Sequence, residues 1–250
     1  VYWIIFWIIA LSIFGGRINK KIMPPFMKKL FNLLGSLWMG VMCYALLLFL
    51  FTDLVSLVFS YLSLPDIINL HIPNFIIYWQ TLLLILIIGI IVCGSYHAKK
   101  IRINSYDIVI PKNSAVRNLN IVFLSDIHLG NIVNNRRLQS IVDKINSLAP
   151  DLVLFGGDII DDSIGPYLKQ QMPETLKKIK STYGVYAVLG NHDGNALKQV
   201  NVVNNLEAGG MKVLLDEYVK IADSFYLVGR IDNNMPRGGS KRKALEEILH

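Results

Sequence analysis

The run Phe75–Tyr96 contains no charged side chain and is close to the roughly 20 apolar residues that cross the hydrocarbon core of a bilayer. A second run, from Leu33 to about Leu62, is long enough to cross and carries one acid, Asp53. Val1–Phe14 is also free of charge, although it is shorter than a full span. A cleavable signal peptide would not repeat three times, so we predict about three transmembrane helices before residue 99.

The apolar residues are concentrated in the first part of the chain. The whole chain is 53% hydrophobic and 17% charged, with a mean hydropathy of +0.44, which is too apolar for an ordinary soluble domain. We predict a membrane region over residues 1–98, a linker with a first strand over 99–118 and a soluble domain over 119–250. The chain begins with Val1 and not with Met, and residues 241–250 read as a helix that stops. Both ends therefore look cut, and we expect a fragment whose soluble domain is incomplete at its C-terminus.

The net charge of +7 has two interpretations, nucleic-acid binding or basic residues that flank membrane spans. We favour the second and expect no nucleic-acid partner, because the basic residues bracket the apolar runs. The loop 65–73 between the second and third runs contains no Lys or Arg. The basic residues lie before the second run, at Arg17, Lys20, Lys21, Lys28 and Lys29, and after the third, at Lys99, Lys100 and Arg102. The positive-inside rule then predicts an integral protein of the inner or plasma membrane, with the soluble domain facing the cytoplasm.

A few polar groups within or beside the apolar runs leave alternatives open. Asp53 is either an acid near the outer end of its helix, where water reaches it, or a functional intramembrane group. Lys99, Lys100 and Arg102 either contact anionic lipid headgroups or act only as a topology signal. Cys43 and Cys93 both lie inside apolar runs, so no disulfide framework is indicated.

The soluble part alternates between segments with strand character and segments with helical spacing, and this alternation is typical of an α/β layered domain. In such domains, ligands bind at the carboxyl ends of the strands. We predict strands at Asp107–Ile110, Leu119–Leu124, Leu152–Phe155, Val185–Leu189, Met211–Leu215, Tyr218–Ile221 and Phe225–Val228. We predict helices at Asn135–Leu148, Tyr167–Lys180 and Asn195–Ala208.

Three polar clusters each follow an apolar strand directly, and all three would therefore emerge at one edge of the sheet. The first contains Asp126 and His128, the second is Gly156-Gly157-Asp158, and the third is Gly190-Asn191-His192-Asp193. A carboxylate and an imidazole two residues apart suit Mn, Fe or Zn better than Ca. Each cluster alone is common as a turn, but their occurrence together in this order favours a metal site.

The side chains of these clusters have complementary chemistry. The two oxygens of the Asp158 carboxylate can bridge two metals, and the preceding glycines let the backbone turn tightly. Asn191 offers a neutral carbonyl ligand, and His192 beside it can reach a substrate oxygen. Asp193 is able to hold the His192 ring in one tautomer, as carboxylates outside the ligand set commonly do. Asp161 and Asp162 either contact a metal or the substrate or, as we prefer, solvate or cap a loop.

These clusters resemble the signature of the calcineurin-like metallophosphoesterase superfamily from about Asn120 onward. The resemblance implies a pair of β-sheets flanked by helices, here preceded by transmembrane helices, and two divalent ions, which would be Mn, Fe or Zn. It implies that Asp126 and His128 hold the first metal, Asp158 bridges both and Asn191 holds the second. It also implies catalytic roles for His192, which would act on the leaving group, and for Asp193 beside it.

The sequence departs from the family pattern after the third cluster. The family has a further His and a Gly-His-x-His block, whereas His71, His97 and His250 do not stand in that context. We expect truncation to be the cause, and natural loss of activity is the alternative.

These patterns together predict a membrane-anchored, metal-dependent hydrolase of phosphoester or pyrophosphate bonds. A phosphorylated substrate is expected, with a lipid-linked phosphate favoured by analogy with membrane-associated relatives. Membrane lipid is a further expected partner, and the sequence leaves the oligomeric state open. A degenerate domain that serves as a membrane-tethered binding or scaffold module is the competing hypothesis. A transporter with an incidental soluble tail is disfavoured because the apolar runs hold few polar residues and no paired charges.

Overall fold

A computed structural model of the chain divides into two compact units, Val1–Ser105 and Tyr106–His250. The residues that it describes are 1–15, 24–62, 74–112, 114–161, 163–197, 201–233 and 242–249. The predicted loops with Arg17, Lys20 and Lys21 and with residues 65–73 therefore lie largely outside the described residues, as do Asp162 and His250.

The first unit is helical, and two of its helices are long and apolar enough to cross a membrane. Its helices are α1 (Tyr2–Ala10), α2 (Ser12–Gly15), α3 (Pro25–Tyr61) and α4 (Phe75–Lys99). The candidate spans are Leu30–Tyr61 within α3 and Ile77–Lys99 within α4. The first predicted span, Val1–Phe14, forms the short helices α1 and α2, so its role as a span stays a prediction.

Helices α3 and α4 contact one another through a hydrogen bond in which Trp79 Nε1 donates to Thr52 Oγ1 at 3.3 Å. Trp79 and Lys99 are separated by about 30 Å at 1.5 Å per residue, which is about the thickness of a bilayer core. Asp53 directly follows Thr52 and therefore lies near the level of Trp79. The candidate span continues to Tyr61, so the position of Asp53 at the outer end of its helix stays a prediction.

The second unit is built on a parallel sheet of four strands in the order β1-β2-β3-β4. An antiparallel pair, β5 with β6, forms a second sheet. The strands are β1 (Ile121–Leu124), β2 (Leu152–Gly156), β3 (Val185–Val188), β4 (Lys212–Val213), β5 (Glu217–Ile221) and β6 (Phe225–Gly229). The helices are α5 (Asn135–Ser147), α6 (Ile164–Lys169), α7 (Met172–Leu176), α8 (Asn191–Leu197), α9 (Val202–Glu207) and α10 (Leu245–Leu249). The predicted α/β class with two sheets is confirmed.

Helix α5 shows how the sequence pattern builds the core. Leu138, Val142 and Ile145 recur at helical spacing, and all three are buried. They join a single apolar cluster with the buried strand residues Val153 and Phe155. The helix begins after Asn134, whose side chain accepts a hydrogen bond from Arg137 N at 3.1 Å and so caps the first turn.

One predicted strand is wrong: Asp107–Ile110 is not a strand in the structure. Its β-branched residues are exposed, with Ile108 at 81% and Val109 at 90%, and no described neighbour pairs with it. A strand is stabilised by a partner strand and by burial, and among the described residues this segment has neither, so its strand propensity alone does not form a strand.

Two predicted long helices are each divided into two short ones. Tyr167–Lys180 forms α6 and α7, because Gln171 between them adopts a left-handed φ of 53° and Pro173 follows at the start of α7. In place of Asn195–Ala208 the structure has α8 and α9, and α9 begins with its own cap, in which Asn201 Oδ1 accepts from Asn204 N at 3.1 Å.

Leu138→Ala should destabilise the second unit by about 2–5 kcal/mol, because the Leu138 side chain is fully buried and its truncation leaves a cavity in the core. Differential scanning calorimetry of the full chain in detergent measures the change. Ile132→Ala is the matched control, since Ile132 is 80% exposed and its truncation should change the free energy of unfolding by less than about 0.5 kcal/mol. Equal effects of the two substitutions would contradict this account of the core.

Candidate metal centre

The three polar clusters follow β1, β2 and β3 at the same edge of the parallel sheet. The register aligns Leu124 with Phe155 and Gly156 with Val188, so these three strands end side by side. The prediction that all three clusters emerge at one carboxyl edge is therefore confirmed. The side chains that follow these strand ends are close enough to form one site.

Backbone hydrogen bonds join the first two loops beyond the ends of their strands. Asp126 N donates to Gly157 O at 3.1 Å, and His128 N donates to Asp158 O at 3.0 Å. Leu129 N then donates to Ile159 O at 2.7 Å. The loop with Asp126 and His128 is thus held along the loop with Asp158 by main-chain contacts.

Three of the predicted metal ligands have an unusual backbone conformation. Asp126, His128 and Asp158 adopt left-handed φ values of 55°, 50° and 50°. This conformation costs of order 1–3 kcal/mol for a residue with a side chain, and such residues cluster at functional sites. The hydrogen bonds between the loops hold these residues in place and so maintain the direction of their side chains.

Glycine is required where the second and third loops meet. A Cβ at Gly190 would overlap Asp158 Oδ1 and would lie 2.6 Å from Asp158 N. This close approach allows His192 N to donate to Asp158 Oδ1 at 2.9 Å. Gly157 has a φ of +98°, and a Cβ there would lie 3.0 Å from Gly190 N.

Asp193 has a structural task that the sequence analysis missed. Its carboxylate is fully buried and accepts hydrogen bonds from Ile159 N at 3.2 Å, Ile160 N at 2.8 Å and Gly190 N at 3.0 Å. Burial raises the pKa of Asp193, whereas the three N–H donors lower it. The carboxylate thus ties the Asp158 loop to the His192 loop, while its proposed effect on the His192 tautomer stays a prediction.

His128, Asp158 and His192 converge into a group that can hold a metal ion. One ligand atom from each lies within 4.8 Å of the other two, and all three side chains are half-buried. The imidazole rings of His128 and His192 are perpendicular, with centroids 4.7 Å apart. Nitrogen and carboxylate donors together fit Mn, Fe or Zn.

The other predicted site residues lie around this group. Among the described residues, the exposed Asp126 is outside the group of three, although its backbone is joined to the Asp158 loop. Asn191 is half-buried and begins α8 directly before His192. Asp161 lies against Gly130, and its N–H donates to Leu129 O at 3.0 Å. The geometry also offers His192 as a ligand, whereas the sequence analysis gave it a catalytic role alone.

Asp193→Ala should lower the affinity for Mn²⁺ at least tenfold, although it removes none of the predicted ligands. The substitution leaves three buried N–H groups without an acceptor, at about 1–3 kcal/mol each, and so frees the two loops that carry Asp158 and His192. Titration calorimetry with Mn²⁺ measures the affinity. The affinity of Asp193→Asn should lie between that of Asp193→Ala and that of the original protein.

The control for this experiment is Asp143→Ala, which removes an exposed acid from α5. It should leave Mn²⁺ binding unchanged. If Asp193→Ala keeps the original affinity, the carboxylate does not position the site.

Comparison with known proteins agrees with this geometry. Residues 119–246, just over half of the chain, match the calcineurin-like phosphoesterase family. A transmembrane protein with metallophosphoesterase domain from Danio rerio is 33% identical over 118 residues, which cover 46% of this chain and 26% of that protein. An uncharacterised metallophosphoesterase of Helicobacter pylori is 36% identical over 77 residues, which cover 31% of this chain and 20% of the relative.

A DNA double-strand break repair protein Mre11 of Nanoarchaeum equitans is 39% identical over 85 residues, covering 30% of this chain and 24% of that protein. The chain thus spans about a quarter or less of the length of these three relatives. No solved structure matches the chain significantly. The family match covers all three polar clusters and the strands that position them, and the chain therefore belongs to the calcineurin-like phosphoesterase family.

Proposed function

We propose that this chain is a membrane-anchored phosphoesterase that hydrolyses phosphoester or pyrophosphate bonds with two divalent ions at the carboxyl edge of its parallel sheet. One ligand atom each of His128, Asp158 and His192 lies within 4.8 Å of the other two, and this convergence is the observation that carries the proposal. Family membership supports metal-dependent phosphoester hydrolysis at the general level. The number of ions and the type of bond belong to the proposal.

The residues have distinct tasks in this proposal. Asp126 and His128 would hold one ion, Asp158 would contribute to both and Asn191 would hold the other. Bound divalent ions supply Lewis acidity that activates water and neutralises phosphoryl charge. His192 donates a proton or hydrogen bond to the leaving oxygen, and the half-buried position of its ring limits competing water.

The membrane anchor narrows the class of substrate. Two helices have the length and composition of spans, and the relative from Danio rerio is described as a transmembrane protein. Lys28 and Lys29 precede the apolar part of α3, and Lys99, Lys100 and Arg102 follow that of α4. By the positive-inside rule, this distribution of charge supports a catalytic unit that faces the cytoplasm from the inner or plasma membrane. A site held at that surface favours a lipid or lipid-linked phosphate, with membrane lipid as the partner.

Hydrolysis of bis-p-nitrophenyl phosphate and p-nitrophenyl phosphate by the full-length gene product in detergent, with added Mn²⁺, tests the reaction. Asp158→Asn should lower activity and bound metal together by a factor of about 100, because it weakens the bridging ligand. His192→Ala should lower kcat by about 10²–10⁴ with bound metal retained, because it removes only the proton donor. His97→Ala, at the end of α4, is the control and should leave both readouts unchanged.

The outcomes separate the competing interpretations. Loss of metal in His192→Ala would make His192 a ligand and would refute its assignment as a proton donor alone. Absence of both bound metal and hydrolysis in the full-length protein would favour the scaffold module over the enzyme. A preference for phosphates presented in lipid vesicles over the soluble esters would support the lipid-linked substrate.

A further inference from the structure

Strand β6 ends at the same edge of the fold as the metal centre. Gly229 is its last residue and packs closely against Leu214, which follows β4, and against Val188 of β3. A Cβ at this position would overlap Leu214 Cβ and would lie 3.1 Å from Val188 Cγ1. Val188 ends β3 and is followed by the turn into α8, which begins with Asn191 and His192. Arg230, which follows Gly229, therefore leaves the strand beside that turn.

The buried carboxylate of Asp216 joins the segment after β6 to the segment before α10. Its Oδ1 accepts from Ile231 N at 3.0 Å, and its Oδ2 accepts from Lys243 N at 3.1 Å. Arg230 precedes Ile231, and its Nη2 donates to Lys243 O at 2.9 Å. Arg242 precedes Lys243, so one carboxylate holds together the two backbone segments that carry these arginines.

Both arginines have a side-chain donor that no described residue accepts from. The Nε atoms of Arg230 and Arg242 are buried, and among the described residues neither has a hydrogen-bond partner. Asp216 accepts from two backbone N–H groups, and Glu247 accepts from Ala244 N at 3.2 Å. Burying a charged donor without an acceptor is unfavourable, so a bound anion would stabilise this arrangement.

We propose that Arg230 and Arg242 form a phosphate-binding pair that holds a second anionic group of the substrate beside the metal centre. Each planar guanidinium can donate two parallel hydrogen bonds to phosphate oxygens, which makes arginine suited to this recognition. The pair selects substrates with two linked phosphoryl groups, such as pyrophosphate diesters, over simple esters with one. The placement of the reacting phosphoryl group at the metals rests on the proposed function.

Binding of inorganic pyrophosphate to the full-length protein in EDTA tests the pair without the metals. Titration calorimetry should show binding to the original protein that Arg230→Gln and Arg242→Gln each weaken at least tenfold. Arg242→Lys should weaken it less than Arg242→Gln, because lysine keeps the charge but not the planar fork. Arg117→Gln is the control, since Arg117 is exposed and precedes β1 at the opposite edge of the sheet.

Two variants keep the test meaningful if one fails to fold. Arg230→Gln also removes the hydrogen bond to Lys243 O, whereas Arg242→Gln removes no hydrogen bond that the structure shows among the described residues. With Mn²⁺, hydrolysis of bis-p-nitrophenyl phosphate by the control Arg117→Gln should stay within about twofold of the original, because Arg117 is exposed and precedes β1 at the opposite edge of the sheet.

The results distinguish failure of this inference from failure of the proposed function. Absence of pyrophosphate binding, or equal binding by the original, Arg242→Gln and Arg117→Gln, would overturn the arginine pair even if hydrolysis is found. Loss of binding in the arginine variants alone would support the pair even if the protein hydrolyses nothing, and the proposed function would then be the part that fails.

Discussion

The metal centre depends on the hydrogen bonds that the Asp193 carboxylate accepts from Ile159, Ile160 and Gly190. The parallel sheet brings three loops to one edge, but strand pairing ends before the ligand residues begin. Beyond that point, a fully buried carboxylate joins the second loop to the third, and main-chain bonds join the first loop to the second. Burial of this acid is unfavourable in itself, and the three N–H donors offset that cost.

This network accounts for the unusual backbone at Asp126, His128 and Asp158. Three left-handed residues would be expensive in a free loop, at of order 1–3 kcal/mol each. The hydrogen bonds from Asp126 N to Gly157 O and from His128 N to Asp158 O are formed only when the loops adopt these conformations together. Backbone hydrogen bonds consequently arrange the site, and the glycines at 157 and 190 allow the necessary close approach.

Much of the second unit was predictable because its elements are marked by local pattern. The apolar strands β1, β2 and β3 stand out by composition, and α5 stands out by the helical spacing of its buried residues Leu138, Val142 and Ile145. Three elements failed for identifiable reasons. Asp107–Ile110 has strand propensity but no partner, Gln171 interrupts a helical pattern through its φ, and Asn201 starts a new helix by capping it. These features depend on tertiary neighbours or on one dihedral angle, which residue pattern does not report.

In the candidate site, too, some features follow from the local sequence and others depend on contacts that form only in the folded chain. The types of metal-ligand residue can be recognised from sequence because coordination chemistry demands them. The hydrogen-bond partners of a buried carboxylate instead depend on chain segments that the fold brings together. Asp216 and Asp193 are alike in this respect, since each accepts backbone N–H groups from two separate segments. In each case the carboxylate is committed to the main chain, and it thereby positions the residues beside those N–H groups. The fold therefore uses buried aspartates to position other residues, so an aspartate within a catalytic motif is not by that fact a group that touches the substrate.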